Sequence, residues 1–315
     1  MAKSVKTRFC VISDTHDRAP ASADQTSFAY RSPLPSADVL LHGGDLTMVG
    51  RTSEYEAMIA MLREADAEVK IVIAGNHDIS LDPDYYADIG HFRHQTDEED
   101  VERVRELWTG AEAKGAGILY LEEGLSTFTL KNGARFTIYT SPYQPEFCRW
   151  AFAYERDEDR FNPSSPDSEL PPALNPVPDF PKVDIMLTHG PPLNRLDKVG
   201  RGGNVGCEHL LRAVQRARPR LHCFGHIHEG WGAERVRWGD ARDSKAEGIE
   251  SVDLLEQDQE KMLAERSAYI DASSGSDHPL EFGRETLMVN ASIMNVRYKP
   301  VNAPWVVDLD LPLAE

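Results

Sequence analysis

Short apolar runs that end abruptly in Gly, Asp, His or Asn constrain the fold of this chain most strongly. Five of them span residues 9–13, 39–41, 69–74, 185–187 and 221–224. Each run is bounded by turn-forming residues, and several are rich in Val and Ile, which is typical of buried β-strands. Later apolar runs at 287–293 and 305–309 predict two further strands.

Helical patterns lie between these strands, at residues 53–65 and 208–217. Ser53 is the expected N-cap of the first helix. An apolar stripe follows it at Ala57, Met58, Met61 and Leu62. Strands that alternate with helices predict an α/β fold, in which ligands collect at the carboxyl ends of the strands.

Three regions interrupt this alternation within what we expect to be one domain over residues 1–315. Residues 79–117 are charged and predict helices, and residues 155–182 are rich in Pro, Asp and Ser and predict a long surface loop. Residues 233–284 are expected to form an inserted helical excursion, which would act as a lid, mediate dimerisation or simply pack. Its amphipathic helix would share one apolar face among Ile249, Val252, Leu255, Met262 and Leu263.

The composition limits the partners and the setting of the protein. With 315 residues, 41% of them hydrophobic, the chain can bury a large core. Its net charge of -18 argues against binding duplex nucleic acid, and we expect no membrane-spanning segment. Four cysteines without zinc-type spacing favour a reduced, cytoplasmic setting. A homo-oligomer stays compatible with the sequence.

Five polar clusters stand where the apolar runs stop: SDTH, GGDL, GNHD, THGPP and GHIH. They supply Asp14, His16, Asp45, Asn76, His77, Asp78, His189, His226 and His228. Carboxylates and neutral imidazoles suit Mn²⁺, Fe, Zn²⁺ and similar ions. An Asp and a His one residue apart on an extended chain would point the same way, and neighbouring glycines would allow sharp turns.

Each cluster alone has an ordinary structural explanation. GHIH alone is weak evidence for metal binding, and GNHD alone could be a turn with a left-handed Asn. All five clusters follow predicted strands, however, so their side chains are expected to meet in one metal site. The two oxygens of Asp45 could bridge two ions.

The ordered set of clusters resembles the calcineurin-like metallophosphoesterases. The segments VKIVIAGNHD, VDIMLTHGPP, VGCEHLL, GHIHEGWG, VNAS and VNAPWVVDL resemble the metallophosphoesterase-domain-containing branch. The resemblance spans roughly residues 8–311 and implies a four-layer α/β/β/α sandwich with two central mixed β-sheets, the fold of metallo-dependent phosphatases. In some animal members of this branch glycine replaces the first histidine of GHIH, whereas this chain has His226.

The resemblance also implies roles for the site residues. Asp14, His16 and His228 would hold one ion; Asn76, His189 and His226 would hold the other; Asp45 would bridge them. Two divalent ions per chain are expected, Mn²⁺ first, with Fe, Zn²⁺, Co²⁺ or Ni²⁺ as alternatives. A hydroxide between the ions would attack phosphorus, and His77 would donate to the phosphate or to the leaving oxygen.

Two function classes follow from the site. The first is a phosphoester hydrolase, with a phosphodiesterase for small (cyclic) nucleotide diesters ahead of a phosphomonoesterase or protein Ser/Thr phosphatase. GNHD followed by Ile79 and Ser80 departs from the motif of the protein phosphatases. The second is a non-catalytic nucleotide- or metal-binding module, which predicts incomplete ligand sets.

Residues next to the clusters have two interpretations each. Asn76, His77, Thr15 and Arg18 are candidate substrate contacts, although Thr15 and Arg18 could be surface loop residues. Asp78 could orient His77 or cap a helix. Asn194 and Arg195 could contact substrate or be surface loop residues, and Trp231 could stack on a base or pack on a neighbour. Among the remaining histidines, His42 is expected to support a ligand from behind or to pack in the core. The others are expected to be structural or solvated: His91, His94, His209, His222 and His278.

Overall fold

The computed structural model describes residues 3–95, 100–163, 172–239 and 248–314. Its strands are β1 (Ser4–Ile12), β2 (Ala37–His42), β3 (Ala67–Val72), β4 (Ile118–Tyr120), β5 (Gly124–Thr129), β6 (Arg135–Ser141), β7 (Gln144–Pro145), β8 (Ala153–Tyr154), β9 (Ile185–Thr188), β10 (Lys198–Val199), β11 (Gly203–Asn204), β12 (Leu221–Phe224), β13 (Gly232–Trp238), β14 (Ile249–Leu254), β15 (Ala268–Asp271), β16 (Glu285–Asn290) and β17 (Trp305–Pro312). Its α-helices are α1 (Thr52–Glu64), α2 (Pro83–Tyr85), α3 (His91–His94), α4 (Val101–Thr109), α5 (Ala111–Gly115), α6 (Glu208–Ala217) and α7 (Gln259–Glu265). A π-helical turn at Tyr86–Gly90 joins α2 to α3, and 3₁₀ turns lie at Ile79–Leu81 and His228–Gly230.

Two mixed sheets form the centre of the molecule. The first has the order β15-β17-β1-β2-β3-β4, in which β1 to β4 are parallel and β17 runs antiparallel to β1. The second has the order β14-β13-β16-β12-β9-β6-β5, in which β16, β12, β9 and β6 are parallel. Its remaining neighbours pair antiparallel. The parallel strands carry the chemistry-bearing clusters, so their carboxyl ends lie along shared edges.

The alternation of side chains along β1 shows how the layers pack. Phe9 and Val11 belong to the core between the sheets, where Phe9 meets Phe136 of the second sheet with ring centroids 5.9 Å apart. Cys10 and Ile12 face the opposite way and pack in the core that contains α1 and α4. Because strand side chains alternate, the second half of β1, residues 9–12, is buried on both faces and is a continuous apolar run.

Helix α6 covers the outer face of the second sheet, where Leu210 and Val214 pack with Met186 and Phe224. The order of layers is therefore helices, sheet, sheet, helix. The expected four-layer α/β/β/α sandwich with two central mixed sheets is confirmed. Each of the seven predicted apolar runs overlaps a strand of these two sheets, and the helix predicted at 208–217 is α6.

Some local predictions are wrong. Helix α1 begins at Thr52 after an Arg51 N-cap, and Glu54 accepts the backbone N–H of Arg51 at 3.0 Å, so Ser53 is not the cap. The prediction of helices in residues 79–117 is confirmed by several short helices, although residues 96–99 lie outside the described residues. In the region predicted as a surface loop, residues 155–163 and 172–182 contain no helix or strand, and residues 164–171 are outside the described ranges.

Residues 233–284 do not form the expected helical excursion. Strands β13 and β14 extend the second sheet, and β15 forms an edge of the first. Ile249 and Val252 lie on β14, and the helix is limited to Gln259–Glu265. The apolar spacing resembled a helix, but pairing of β14 with β13 satisfies the backbone and decides the conformation. Residues 240–247 fall outside the described part.

None of the described helices is both long enough and apolar enough to span a bilayer.

His222 gives a test of how burial affects stability. Its ring is completely buried on β12, its Nε2 lies 2.9 Å from Thr188 Oγ1, and its Nδ1 has no partner among the described residues. Burial lowers the pKa of His222 to about 3. In the unfolded chain His222 takes up a proton as the pH falls below its ordinary pKa, whereas in the folded protein it stays neutral. The free energy of unfolding therefore falls as pH falls.

We expect His222→Leu to remove this contribution. Between pH 7 and pH 4.5 the variant should lose about 2 kcal/mol less of its free energy of unfolding than the wild type. Urea unfolding at both pH values measures the difference, with exposed His278→Leu as the control. Equal losses in wild type and His222→Leu would contradict the prediction.

Candidate metal centre

Carboxylate and imidazole groups converge where the carboxyl ends of β1, β2, β3, β9 and β12 meet. Their ligand atoms form three groups, each with all atoms within 4.8 Å of one another: Asp14, His16 and His228; His16, Asp45 and His77; Asp45, His189 and His226. Asn76 joins them through its Oδ1, 2.9 Å from His189 Nε2. The nine predicted metal and catalytic residues thus lie in one region, and eight of them present side-chain atoms toward its centre, Asp78 excepted.

Asp14 connects the two sheets. It follows β1, and its carboxylate accepts the backbone N–H of His226 at 3.0 Å to both oxygens. Ser292, beyond β16, donates its hydroxyl to Asp14 Oδ2 at 2.9 Å. His228 Nε2 lies 3.5 Å from the other oxygen. Residues of the second sheet therefore hold the carboxylate that the first sheet supplies.

Asp45 lies between two sets of imidazoles. Its Oδ2 is 3.5 Å from His16 Nε2, and its Oδ1 is 3.5 Å from His189 Nε2. The backbone N–H of His77 donates to Oδ1 at 2.8 Å. The two oxygens of one carboxylate therefore face different histidines.

Backbone carbonyls orient four of the rings through Nδ1. The pairs are His16 with Thr47 O at 3.1 Å, His77 with Met48 O at 2.7 Å, His189 with Gly43 O at 2.9 Å, and His228 with Asn295 O at 3.1 Å. A carbonyl can only accept, so each Nδ1 carries a proton, and each Nε2 faces the centre. This arrangement is typical of metal-binding histidines.

The Nε2 atoms of His16 and His228 lie 3.3 Å apart. With both Nδ1 atoms protonated, two neutral rings would direct lone pairs at each other, which requires a proton or a metal cation between them. The chemistry of these donors therefore fits a bound cation.

Two buried carboxylates also require positive charge at this site. Asp14 and Asp45 are 0% and 2% exposed. No Lys or Arg among the described residues pairs with either carboxylate. Burial, together with the charge of Asp14, raises the pKa of Asp45 well above its usual value. Burial opposes ionisation of Asp14 too, but the hydrogen bond and charge of His228 hold its pKa low. Divalent cations would allow both carboxylates to be ionised.

Burial favours the neutral, metal-binding form of most of these imidazoles. Burial lowers the pKa of His226 to about 3 and, together with the charges of other histidines, lowers that of His16 well below its usual value. Burial is also the main cause of the lowered pKa of His189. His228 is the exception, because its contact with Asp14 outweighs burial and raises its pKa. A neutral ring with a free Nε2 lone pair can bind a metal ion without first losing a proton.

The backbone at the ligands is unusual. Asp14, His16, Asp45 and His226 have φ values of 52°, 44°, 52° and 66°. Such left-handed conformations of non-glycine residues cost energy and are concentrated at functional sites. The expected alternation of Asp14 and His16 along an extended strand is therefore wrong, because both lie in a turn beyond β1.

Glycines let the strand ends approach these carboxylates. A Cβ on Gly225 would overlap the carboxylate of Asp14 and the hydroxyl of Ser13, and one on Gly75 would lie 2.6 Å from His189 Cε1. These contacts bear out the sequence argument that glycines beside the ligands avoid a Cβ clash.

Comparison with known proteins identifies the group to which such a site belongs. A family model described as calcineurin-like phosphoesterase matches residues 7–230. The chain belongs to the calcineurin-like phosphoesterase family. Metallophosphoesterase domain-containing protein 1 is 33% identical in both Homo sapiens and Mus musculus, over 97% of this chain and 72% of each relative.

Among solved structures, the phosphopantetheinyl hydrolase of Mycobacterium tuberculosis matches with a TM-score of 0.41 and 17% identity. The match covers 74% of this chain and 85% of that one. The family assignment makes this chain a metallophosphoesterase, and the family uses divalent metal ions.

In this calcineurin-like phosphoesterase, Asp78 has a different task from the two predicted. Its oxygens accept the backbone N–H groups of Leu46, Thr47 and Gly75 at 3.1, 3.0 and 2.8 Å, and the Thr47 hydroxyl at 2.8 Å. It does not bond the His77 ring, and it makes no side-chain cap although it precedes the 3₁₀ turn. Asp78 joins the loops after β2 and β3, so it is a positioning residue.

His77 is held by a stack of rings that the sequence did not reveal. Trp150 stacks on its ring at a centroid distance of 4.0 Å, and His94 stacks on the other face of Trp150 at 4.1 Å. Trp150 belongs to the irregular segment between β7 and β8, where no motif marks it. Ser292 and Tyr298 were also missed, although the VNAS segment contains Ser292.

Most residues beside the clusters have structural contacts. Thr15 is completely buried and its hydroxyl lies 2.9 Å from His42 Nε2, so its expected substrate contact is wrong. Arg18 is exposed and stays a prediction. Arg195 forms an ion pair with Glu234 at 3.3 Å, and Asn194 accepts the side-chain amide of Asn204.

The other aromatic candidates also pack on neighbours. Trp231 stacks on Trp305 at 5.0 Å and donates Nε1 to Ala303 O. His42 is a buried histidine whose Nδ1 accepts the Gly44 N–H at 3.3 Å. His91, His209 and His222 contact Tyr86 O, Asp159 and Thr188, while His278 is exposed.

The close approach at Gly225 yields a prediction about metal affinity. In Gly225→Ala the methyl group must displace the Asp14 carboxylate, so we expect Mn²⁺ binding to weaken by about 10- to 100-fold. Titration calorimetry of the metal-free protein measures this.

Gly275→Ala is the matched control, because a Cβ there meets nothing within 4 Å. Unchanged Mn²⁺ affinity in Gly225→Ala would contradict the prediction, because it would show that the Asp14 carboxylate can move without weakening metal binding.

Proposed function

We propose that this chain is a dinuclear-metal-dependent phosphodiesterase that hydrolyses small nucleotide diesters. The observation that carries the proposal is the position of Asp45, whose Oδ2 faces His16 and whose Oδ1 faces His189, each at 3.5 Å. One carboxylate with an imidazole beside each oxygen is suited to bridging two cations.

The ligands divide on either side of Asp45. Asp14, His16 and His228 would hold the first ion, and their ligand atoms lie within 4.8 Å of one another. Asn76, His189 and His226 would hold the second ion. Asp45 would contact both.

When bound, the two ions would stabilise negative charge on phosphoryl oxygens and make hydroxide available at neutral pH. The chain supplies the remaining functions. Asp78 keeps the loops after β2 and β3 together, and the His77 N–H holds Asp45 at the centre. Deep burial of Asp14 and Asp45 restricts water and strengthens electrostatic interactions.

His77 would donate a proton to the leaving oxygen of the substrate. Its Nδ1 donates to Met48 O, so Nε2 faces the substrate side. Burial lowers the pKa of His77 to about 4, so the ring donates from Nε2 only after gaining a proton. The negative charge of a bound phosphate ester favours that protonation.

The surroundings favour a diester with a flat substituent. Tyr298, which is 40% exposed, lies beside His16 with ring centroids 4.9 Å apart. Aromatic rings provide contact area for a nucleoside. A phosphomonoesterase or protein phosphatase is the alternative within enzymes. A non-catalytic nucleotide- or metal-binding module predicts missing ligands, whereas all seven predicted ligands converge among the described residues.

A substrate panel and metal analysis test the proposal. Protein stripped with a chelator is expected to be inactive and, after reconstitution with Mn²⁺, to bind two ions and hydrolyse bis(p-nitrophenyl) phosphate and cyclic nucleotides. In Asp45→Asn the ion content and the rate should both fall.

Hydrolysis of p-nitrophenyl phosphate alone would overturn the diesterase assignment. Fewer than two ions per chain and no hydrolysis would instead support the non-catalytic module.

The stacked rings predict graded losses of activity. His77→Ala is expected to lower kcat by about 100-fold or more, because it removes the proton-transferring group. Trp150→Ala should cause a smaller loss, because it frees one face of the His77 ring, and Trp150→Phe should recover most of it.

Metal content must stay at the wild-type value in these variants. Unchanged kcat in His77→Ala with both ions bound would exclude the proposed role of His77.

A further inference from the structure

A tight turn at residues 294–300 brings Tyr298 to the metal centre. The Tyr298 N–H donates to Asn295 O at 2.8 Å, and Asn295 Oδ1 accepts the N–H groups of Arg297 and Lys299 at 2.9 and 3.2 Å. A bridge between Met294 and Pro300 closes the turn. These bonds fix the backbone on both sides of Tyr298.

The backbone of Tyr298 is itself strained. Its φ is 52°, in the left-handed region that bulky residues rarely adopt. The same turn is fastened to the centre, because Asn295 O accepts Nδ1–H of His228 at 3.1 Å. The position of Tyr298 is thus coupled to a candidate metal ligand.

The Tyr298 ring stands edge-on to three imidazoles. Its centroid lies 4.9 Å from His16, 5.4 Å from His228 and 6.1 Å from His77. The side chain nevertheless remains 40% exposed. It therefore lies where the buried centre opens to solvent.

The hydroxyl of Tyr298 makes no hydrogen bond to any described residue. Other tyrosines near this end of the molecule differ: Tyr30 donates to Arg18 O at 2.9 Å, and Tyr85 donates to Arg149 O at 2.8 Å. A free phenol beside a site for anions is a hydrogen-bond donor without an internal acceptor.

We propose that Tyr298 is a substrate-contacting residue whose hydroxyl donates a hydrogen bond to a non-bridging oxygen of the phosphoryl group at the metal centre. This inference rests on the proposed function. No covalent step is involved, and the hydroxyl keeps its proton. The chemistry recognised is the phosphoryl anion, which diesters, monoesters and inorganic phosphate share.

Binding of inorganic phosphate to the Mn²⁺-loaded protein provides the first test. Tyr298→Phe keeps the ring and removes the hydroxyl, so we expect the phosphate Kd, measured by calorimetry, to rise about 10- to 100-fold. kcat/KM for bis(p-nitrophenyl) phosphate should fall in parallel. Metal content should remain unchanged.

Val296→Ala is the matched control, because Val296 is an exposed apolar residue of the same turn. It should bind phosphate as the wild type does. Tyr298→Ala should weaken phosphate binding at least as much as Tyr298→Phe does.

The outcomes separate this inference from the proposed function. Wild-type protein that binds phosphate but hydrolyses no ester would refute the hydrolase function, while the Tyr298→Phe affinity would still decide the contact. Unchanged phosphate affinity in Tyr298→Phe, loss of metal in that variant, or absence of phosphate binding by the wild type would each overturn the hydroxyl contact.

Discussion

The metal centre depends on two buried carboxylates that lack a Lys or Arg partner among the described residues. Asp14 and Asp45 are removed from water and stand among the same imidazoles, and the charge of Asp14 opposes ionisation of Asp45. A low-dielectric interior makes such charges costly unless positive charge is close. Divalent cations satisfy this requirement, and most of the surrounding imidazoles are neutral and able to bind them.

The rest of the architecture keeps these groups in place. Four histidines direct Nε2 inward because backbone carbonyls hold Nδ1. The bonds of Asp14 to His226 and Ser292 join the edges of the two sheets at the centre. Left-handed residues store strain there, and the well-packed layers of the sandwich maintain it. Glycines avoid the clash that a Cβ would make with these ligands. The site is therefore a property of both sheets together.

Much of the fold and of the ligand set could be predicted from local patterns. Apolar runs identified β1, β2, β3, β9, β12, β16 and β17, because doubly covered strands require continuous apolar residues. Residues 249–254 misled the prediction, because an edge strand satisfies its backbone through β13 and its apolar spacing also fits a helix. Thr15 was expected at the site, yet its hydroxyl turns to His42, which adjacency in sequence could not indicate.

The sequence by itself determined which residues can bind metals, because carboxylates and imidazoles at strand ends are a local property. It also determined the alternation of strands and helices, through apolar periodicity. Only the tertiary structure decided that Asp45 faces two sets of imidazoles, that Asp78 braces loops, and that Trp150 and Tyr298 stand beside His77 and His16. These contacts join residues far apart in the chain, and packing of the two sheets sets their distances.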